Sequence, residues 1–499
     1  MSATTSADPA SPEPIEISNA KLAEQDPTGR LYNEDLAPAK PSNRQWNTYS
    51  LFSLWMNDAH NVGNYTFAAG LFIAGLSPFD VTLGVFIGAI IIFVGCCMSG
   101  FMGHATGTPY PVISRMSWGI WGANIPAVVR GVVAIAWYGI QTYLASISLK
   151  LLMLHFIPSL ETLEQTRIFG LGAVGWMAFL ILSALQLAIV WRGMEAVRHF
   201  QGLAGPIIWV VMLSLAIWLL SQANWHISWF TGGGGNTYTG GERIYQTAVA
   251  VGLTVGTLAT LMLNFSDFAR YSSRRKSIIL GNVIGLPLNW TAFVITSVVM
   301  SASAARVYGE ANLDPGVLLE RIGNDTIFLI GSVAFVFATI GVNIVANFVS
   351  ASFDISNINP KRISFQKGGI ITAVVSVVVM PWHLYSSPTV IAYFLGALGA
   401  LLGPFFGILV VDYFLIRKEV TSIPDLYLPN SKSIYFYNKG FNGLAVKAFV
   451  PAAAVSLSVA LIPFFSVIAA FGWFIGAPLA GVIYYFIAKG KIKSLPDPE

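Results

Sequence analysis

The apolar stretch from residue 51 to residue 76 carries, near its middle, side chains that bind ions, protons or polar solutes. A carboxylate, an imidazole and three amides fall within eight residues: Asn57, Asp58, His60, Asn61 and Asn64. One charged residue at the centre of a membrane helix costs at least about 2.5–3.5 kcal/mol. The cluster is therefore expected to face protein or water, and the neighbouring Gly63 favours an unwound segment. The alternative is an interhelical hydrogen-bond network without a ligand.

Two other apolar stretches carry amides at helical spacing. Trp137 and Gln141 are four residues apart and share a helix face. An indole beside an amide suits a planar solute, because the ring stacks while the amide binds its polar edge. Asn343 and Asn347 are also four residues apart. For Trp137, the alternative is packing against lipid or a neighbouring helix.

The apolar stretch from residue 244 to residue 267 contains a second weak point. Gly252, Thr254 and Gly256 are expected to interrupt its helix. Two interrupted helices five spans apart predict an inverted repeat with a polar site at the midplane of a membrane. The alternative is close helix packing, since glycine is common in membrane helices.

The elements that position these residues are predicted to be transmembrane helices. Of 499 residues, 55% are hydrophobic and only 10% are charged, against about 25% charged in soluble domains, and the mean hydropathy is +0.65. These figures exclude a disordered chain, a soluble enzyme and a nucleic-acid binder.

A membrane helix needs about 20 mostly apolar residues. Twelve stretches qualify: 51–76, 82–104, 124–154, 169–191, 203–222, 244–267, 280–304, 326–352, 369–386, 388–416, 443–463 and 466–488. We predict an all-α polytopic membrane protein with twelve transmembrane helices.

Basic residues predict the orientation of these spans. The termini and the loops on their side carry 21 of the 28 Lys and Arg residues, and the opposite loops carry four. The positive-inside rule then makes both termini cytoplasmic, in a multi-pass protein of the plasma (inner) membrane. We expect a mobile polar tail over residues 1–45, one transmembrane domain over 46–488 and a cytoplasmic tail over 489–499. The adjacent Cys96 and Cys97 predict neither a disulfide framework nor a metal site.

The order and spacing of several motifs resemble the nucleobase:cation symporter-1 family, from about residue 43 to residue 427. The motifs are Ser53-Leu-Trp55, Pro109-Tyr-Pro-Val-Ile-Ser-Arg115, Trp137 with Gln141, Asn264-Phe-Ser-Asp-Phe-Ala-Arg-Tyr271, Asn343 to Asn347, and Leu402-Gly-Pro-Phe-Phe-Gly407 leading to Asp412. The resemblance implies a fold of leucine-transporter type, in which spans 1–5 and 6–10 form an inverted repeat with broken helices 1 and 6. It also implies transport of nucleobases or related rings such as uracil, cytosine, allantoin and hydantoins.

The same resemblance implies roles for the substrate-site residues. Trp137 would stack on the ring, Gln141 and Asn347 would bind its polar edge, and Asn61 would face them from the broken first helix. Leu258 occupies the position where family members often have a second aromatic residue. Asn343 completes the expected substrate-binding set beside Asn347.

The cation site implied by the family is altered here. In the sodium-coupled pattern, carbonyls would come from Asn57, His60 and Ala338, and two hydroxyls from span 8. Those two positions hold Gly341 and Val342. A hard cation needs oxygen ligands, so the loss favours protons as the coupling ion. Asp58 is the predicted proton carrier, since a carboxylate in a low-dielectric site can bind and release a proton. Sodium held partly by Asp58 is the main rival.

We predict a secondary active transporter for a planar heterocycle, without cofactor or metal centre. The partners expected are a small-molecule substrate and membrane lipid, with no nucleic acid, and the oligomeric state stays open. An uncoupled facilitator and an amino-acid transporter are the alternatives. An enzyme is not expected, because the chain lacks metalloprotease, nucleophile-elbow and phosphate-loop motifs.

Overall fold

The computed structural model describes residues 18–233, 237–309, 311, 315–385 and 388–492, and they are largely helical. The α-helices are α1 Asn19–Gln25, α2 Thr48–Ala59, α3 Val62–Ile73, α4 Pro78–Thr106, α5 Tyr110–Trp118, α6 Asn124–Phe156, α7 Glu161–Glu164, α8 Ala173–Trp191, α9 Met194–Gln222, α10 Gly240–Asn264, α11 Ser266–Ala269, α12 Arg275–Val283, α13 Asn289–Tyr308, α14 Pro315–Arg321, α15 Asp325–Asn343, α16 Val349–Ile358, α17 Phe365–Val378, α18 Pro381–Tyr385, α19 Pro388–Val410, α20 Gly443–Leu461 and α21 Gly472–Ala488.

Shorter elements join or interrupt these helices. Single π-helical turns at Ile284–Leu288, Ile344–Phe348 and Val411–Ile416 continue α12 into α13, α15 into α16, and α19 towards residue 416. Segments of 3-10 helix cover Pro41–Asn43, Pro158–Leu160, Pro424–Tyr427 and Pro463–Phe471. Strands β1 Arg167–Ile168 and β2 Leu171–Gly172 form a small antiparallel hairpin before α8.

Within the described residues, ten helices are long and apolar enough to cross a membrane. Two predicted spans are shorter. The first is divided into α2 and α3, of 12 residues each, and the ninth is α17, of 14 residues. The all-α polytopic fold is confirmed, and the arrangement is consistent with twelve spans.

The break in the first span is confirmed, but the expected interruption of the sixth at its glycines is wrong. Helix α10 runs without a break through Gly252 and Gly256 and ends at Asn264, and only Phe265 separates it from α11. A Cβ atom at Gly252 would lie 2.6 Å from the carbonyl oxygen of Ala470. The glycine therefore permits close packing between α10 and residues 463–471, which is the alternative function of glycine in membrane helices.

The expectation of a mobile tail is also wrong for residues 18–45, which we call the strap; residues 1–17 lie outside the described residues. The strap buries Leu22, Leu31 and Leu36. It accepts hydrogen bonds from Arg115 at Leu31 O (2.9 Å) and from Tyr427 at Leu36 O (2.7 Å). Three leucines were too sparse in a polar sequence to indicate this packing.

Arg115 shows why the strap is needed. It lies on the short buried helix α5, where burial lowers the pKa of its guanidinium to about 10, so it is still charged at neutral pH. Its nitrogens donate to the carbonyl oxygens of Leu31 and Leu426 and to Asn357 Oδ1. A buried guanidinium requires such acceptors, and the strap supplies one of them.

The helices that carry the predicted site form the interior of the molecule. In α6 and in the eighth span (residues 325–358), 72% of the most apolar 18-residue stretch is buried. The corresponding share in residues 463–488 is 28%. Helix α6 packs against α8, α15 and α16, while α2 packs against α9, α12 and α15. Side chains on α2, α6 and the eighth span can therefore meet away from lipid.

Candidate functional site: polar side chains around the broken first helix

The gap between α2 and α3 is held by the side chains of its own residues. Asn61 caps α3, accepting a hydrogen bond from Asn64 N at 3.0 Å. The amides of Asn61 and Asn64 donate to Asp58 O at 3.1 and 2.8 Å. A helix end leaves carbonyls without partners, and these amides satisfy two of them, since Asn64 Nδ2 also donates to Ala59 O at 3.2 Å. Part of the polar cluster therefore has a structural role.

Asn61 also joins the break to the third span. Gln141 Nε2 on α6 donates to Asn61 Oδ1 at 3.4 Å. A Cβ atom at Gly63 would lie 3.1 Å from that oxygen and 3.7 Å from Gln141 Nε2, so the glycine leaves room for the contact. Gln141 Oε1 is buried and has no hydrogen-bond partner among the described residues. This amide thus offers a free acceptor.

Trp137 lies one turn before Gln141 and is only partly buried. Its ring lies 6.2 Å from the ring of Phe394 on α19, at an interplanar angle of 55°. The sequence prediction missed Phe394, which is 257 positions from Trp137 and carried no local signal. Leu258, the residue considered for the second ring face, is buried in α10 within the main hydrophobic core.

The two amides of the eighth span have different surroundings. Asn343 Nδ2 lies within hydrogen-bonding distance of Tyr138 O (3.0 Å), Thr142 Oγ1 (2.9 Å) and Gln186 Oε1 (2.7 Å). Asn343 therefore ties α15 to α6 and α8. Asn347 Nδ2 donates to Asn343 Oδ1 at 2.9 Å and lies in the π-helical turn 344–348. Single π turns are frequent at functional sites because they redirect side chains.

Asn57 lies against the eighth span, at the predicted cation position. Its Nδ2 donates to Ser53 O (2.9 Å) and Gln201 O (2.8 Å). A Cβ atom at Gly341 would lie 2.8 Å from Asn57 Oδ1. The absence of a side chain at position 341 is thus explained by the amide that occupies its space. Ala338 is fully buried on α15, three residues earlier.

Gln201 of α9 is a second residue that the sequence prediction missed. Its side-chain Nε2 donates to Gly341 O at 2.8 Å, and its backbone carbonyl accepts a hydrogen bond from Asn57 Nδ2. The side-chain oxygens Asn57 Oδ1 and Gln201 Oε1 are both buried and have no partner among the described residues. Two amide groups with unpartnered oxygens therefore lie beside Gly341.

Asp58 points to a different part of the protein from Asn57. Its carboxylate lies near Trp290 on α13 and Cys96 on α4. Asp58 Oδ2 is buried without a hydrogen-bond partner in the described part of the chain. The structure does not bring this carboxylate to the Trp137–Gln141 face; the two are connected through the backbone of the break.

His60 lies in an aromatic cage. Its Nδ1 shares a hydrogen bond of 2.8 Å with the Tyr65 hydroxyl. The imidazole meets Trp209 at 4.5 Å and Phe293 at 5.5 Å, both nearly edge-on. These contacts give the side chain a packing role between α3, α9 and α13.

The fold is that of known secondary transporters. It resembles the structure of Mhp1, a nucleobase-cation-symport-1 family transporter in a closed conformation with bromovinylhydantoin bound, with a TM-score of 0.75 and 23% identity over 91% of this chain and 94% of that one. It also resembles a Na⁺-coupled sialic acid symporter, with a TM-score of 0.57 and 14% identity over 95% of this chain and 97% of the other. The predicted five-plus-five inverted repeat of leucine-transporter type is thereby confirmed.

The sequence defines the family within this class. Residues 38–487 match the family described as permease for cytosine/purines, uracil, thiamine, allantoin. The chain is 34% identical to an allantoin permease of Bacillus subtilis over 471 residues, covering 94% of this chain and 96% of that one. It is 32% identical to a purine-uracil permease of Arabidopsis thaliana, covering 84% of this chain and 70% of the relative. The chain belongs to this permease family, as its motifs predicted, and is a multi-pass membrane transporter rather than an enzyme.

Proposed function

We propose that this permease carries a planar heterocycle of the allantoin, hydantoin or nucleobase type into the cell by secondary active transport. The observation that carries the proposal is the Gln141 amide: its nitrogen contacts Asn61, while its buried Oε1 has no partner among the described residues. A buried polar atom without a partner costs about 1–3 kcal/mol. A ring N–H would satisfy this oxygen, with Trp137 stacking on the ring and Asn347 binding a second edge atom.

The named relatives support a ring with adjacent N–H and C=O groups. One is an allantoin permease, and another was solved with a bromovinylhydantoin bound. Allantoin is itself a hydantoin ring that carries a ureido group. We therefore place allantoin first, ahead of hydantoin, uracil and cytosine.

Competition for labelled allantoin uptake tests this assignment. Cells that express the chain are challenged with hydantoin, uracil, cytosine, purines and amino acids in excess. We expect competition by hydantoin and no competition by amino acids. Uptake that is blocked by amino acids, or no uptake of any ring compound, would reject the heterocycle proposal in favour of the amino-acid alternative or another substrate.

We further propose that protons drive this uptake and that Asp58 carries the proton. Asp58 Oδ2 is buried without a partner in the described structure, and positions 341 and 342 lack the hydroxyls of the sodium-coupled pattern. An isolated buried carboxylate is costly as an ion and becomes neutral by binding a proton. Uptake stimulated by acidification outside the cell and unaffected by sodium is the expected result.

Sodium coupling is the second candidate, and one observation favours it. Asn57 Oδ1 and Gln201 Oε1 lie near Gly341 without partners in the described chain, and amide oxygens are acceptable ligands for hard cations. If sodium binds there, uptake depends on sodium, and Asn57→Ala raises the sodium concentration needed for half-maximal uptake. An uncoupled facilitator, by contrast, would never accumulate substrate above its outside concentration.

The orientation is part of the proposal: both termini lie in the cytoplasm, and the protein resides in the plasma (inner) membrane. The contacts of the strap support placing the N-terminal tail on the same side as the predicted cytoplasmic loops. The strap contacts the turn after α4, residues 360–365 and Tyr427, which all belong to those loops. We retain residues 1–45 and 489–499 as cytoplasmic tails and 46–488 as the transport domain embedded in lipid. A reporter that is active only in the cytoplasm, fused after residue 499, should be active.

A further inference from the structure

Arg130 of α6 and Asp354 of α16 form a buried ion pair whose charged groups are not joined by a hydrogen bond. Arg130 Nη1 lies 3.7 Å from Asp354 Oδ2, beyond hydrogen-bonding distance, and both side chains are at most 1% exposed. Neither oxygen of Asp354 has a hydrogen-bond partner within the described residues, and Arg130 Nε and Nη1 also lack one. Four charged-group atoms are thus desolvated without the hydrogen bonds that normally compensate for burial.

Two other buried carboxylates of this protein, Asp80 and Asp412, are bonded quite differently. Asp80 accepts two hydrogen bonds from Arg243 Nε, at 2.8 and 2.9 Å. Asp412 is as buried as Asp354, and it accepts from Arg417, a tyrosine and a serine. The open geometry at Asp354 is therefore not the general way in which this fold holds an acidic side chain.

A second carboxylate competes for Arg130. Asp267 lies close enough to interact electrostatically with both members of the pair. Its own hydrogen bonds come from Tyr110 N (2.8 Å) and Asn264 Nδ2 (3.0 Å), while Asn264 Oδ1 is buried without a partner in the described chain. The charged and titratable groups that face Asp354 or its neighbour Asp267 are Tyr110 of α5, Arg130 of α6, Asp267 of α11 and Arg270 just after α11.

Arg270 does not relieve this imbalance. Its guanidinium donates to Asp35 O at 2.9 Å and to the Tyr271 hydroxyl, and it lies over the Phe353 ring at 4.8 Å. It is therefore committed to the strap and to aromatic neighbours. Asp354 therefore lies near the guanidinium of Arg130 without a hydrogen bond to it, and near the carboxyl group of Asp267.

We propose that Asp354, together with Arg130, is a proton-binding site separate from Asp58. Arg130 Nη2 donates to Ala346 O at 3.1 Å, and Ala346 precedes Asn347 in the π-helical turn. With a proton on Asp354, Arg130 stays on Ala346. When that proton leaves to water, the ionised carboxylate draws the guanidinium across the gap and away from Ala346. The proton is thereby linked to the turn that carries Asn347, and its effect on substrate rests on the function proposed for that amide.

A proton suits this site better than a metal cation. Hard cations such as Ca²⁺ take six to eight oxygen ligands. Among the described residues, the unpartnered oxygens here are the two of Asp354 and one of Asn264, and a guanidinium lies 3.7 Å from the carboxylate. That positive charge repels a metal ion, whereas a protonated carboxyl tolerates it.

Infrared spectroscopy of the purified full-length protein at neutral pH tests the site without any substrate. Exposed carboxyls are ionised under these conditions, so a protonated-carboxyl band that shifts in D₂O reports buried acids. We expect one component of the band to disappear in Asp354→Asn and to persist in Asp80→Asn, whose carboxylate is closed onto Arg243. A band unchanged by Asp354→Asn and removed only by Asp58→Asn overturns the proposal and leaves the function of Asp58 intact. A wild-type protein without the band overturns the proposal and also counts against a bound proton on Asp58.

Substrate binding tests the link to Asn347. For one linked proton, the affinity for allantoin changes by up to about tenfold per pH unit. Arg130→Gln should keep the Asp354 band but flatten this pH dependence. If Arg130→Gln keeps the band and the full pH dependence, the link through Ala346 is wrong. If allantoin does not bind at all, the infrared result still decides the proton site.

Discussion

Asn343 and Asn347 lie one turn apart on the same span and yet have different tasks. Asn343 is surrounded by three hydrogen-bond acceptors from α6 and α8, and it accepts in turn from Asn347. It therefore fixes the helices and orients its neighbour, and of the two amides only Asn347 keeps the substrate contact that we propose. The sequence placed both amides in the expected substrate-binding set and could not separate these roles, which depend on Gln186 and Thr142 from other positions in the chain.

Trp137→Ala should abolish uptake while the protein still inserts into the membrane. Loss of base–aromatic stacking costs on the order of 1–3 kcal/mol, which is about a 5- to 150-fold loss of affinity. Binding of labelled allantoin to purified protein measures the effect. Trp137→Phe is the matched control and should retain part of the affinity. Wild-type affinity in the alanine variant would remove Trp137 from the site.

The amides should control which ring is preferred. Gln141→Ala and Asn347→Ala should each weaken binding by about 1–3 kcal/mol, because a ring polar atom loses its hydrogen-bond partner at a buried position, and the competition order should change. Asn343→Ala should instead lower the melting temperature, since it removes three interhelical contacts. An unchanged order in both recognition variants would reject the edge-binding scheme.

More of the proposed substrate site than of the proposed cation site could be predicted from the sequence. Trp137, Gln141 and Asn61 carry helical spacing or an unusual location as local signals, and the structure brings Asn61 and Gln141 into contact. Phe394 and Gln201 carried no such signal, because their importance arises only from packing between distant spans. The sequence showed that position 341 has no side chain. It could not show that the side chain of Asn57 occupies this space.

At the scale of elements, the broken first helix was predictable because five polar residues in one apolar stretch are rarely tolerated in a continuous helix that faces lipid. The continuity of α10 was not predictable, since glycine serves both as a helix breaker and as a packing residue. Only the neighbouring carbonyl of Ala470 distinguishes the two uses at Gly252. The π turn at 344–348 likewise has no sequence signature of its own.

Two glycines on α10 provide a matched test of this interpretation. Gly252→Ala should lower the apparent melting temperature in detergent, because its Cβ atom would lie 2.6 Å from a backbone oxygen and overpacking costs about 1–3 kcal/mol. Gly256 has no described atom within 4 Å of an added Cβ, so Gly256→Ala should raise stability by up to about 1 kcal/mol through helix propensity. Equal destabilisation by both variants would mean that α10 needs glycine for flexibility.

At the scale of the whole molecule, the strap joins the ends of several spans on one side of the protein. Leu36 is fully buried within it, whereas Glu34 is exposed. Leu36→Ala should therefore destabilise the protein by about 2–5 kcal/mol, as for other buried leucines, and Glu34→Ala should have little effect. Melting curves of the two purified variants measure this difference. Matching curves would show that the strap does not contribute to folding.

The central claim joins the heterocycle site to a proton gradient, and reconstituted liposomes test it most directly. Labelled allantoin is offered under an inward proton gradient in sodium-free buffer, to the wild-type protein and to Asp58→Asn, which preserves shape but cannot titrate. We predict accumulation by the wild type, and binding without proton-driven accumulation by the variant. Strict dependence on sodium, or full proton-driven accumulation by Asp58→Asn, would contradict the account.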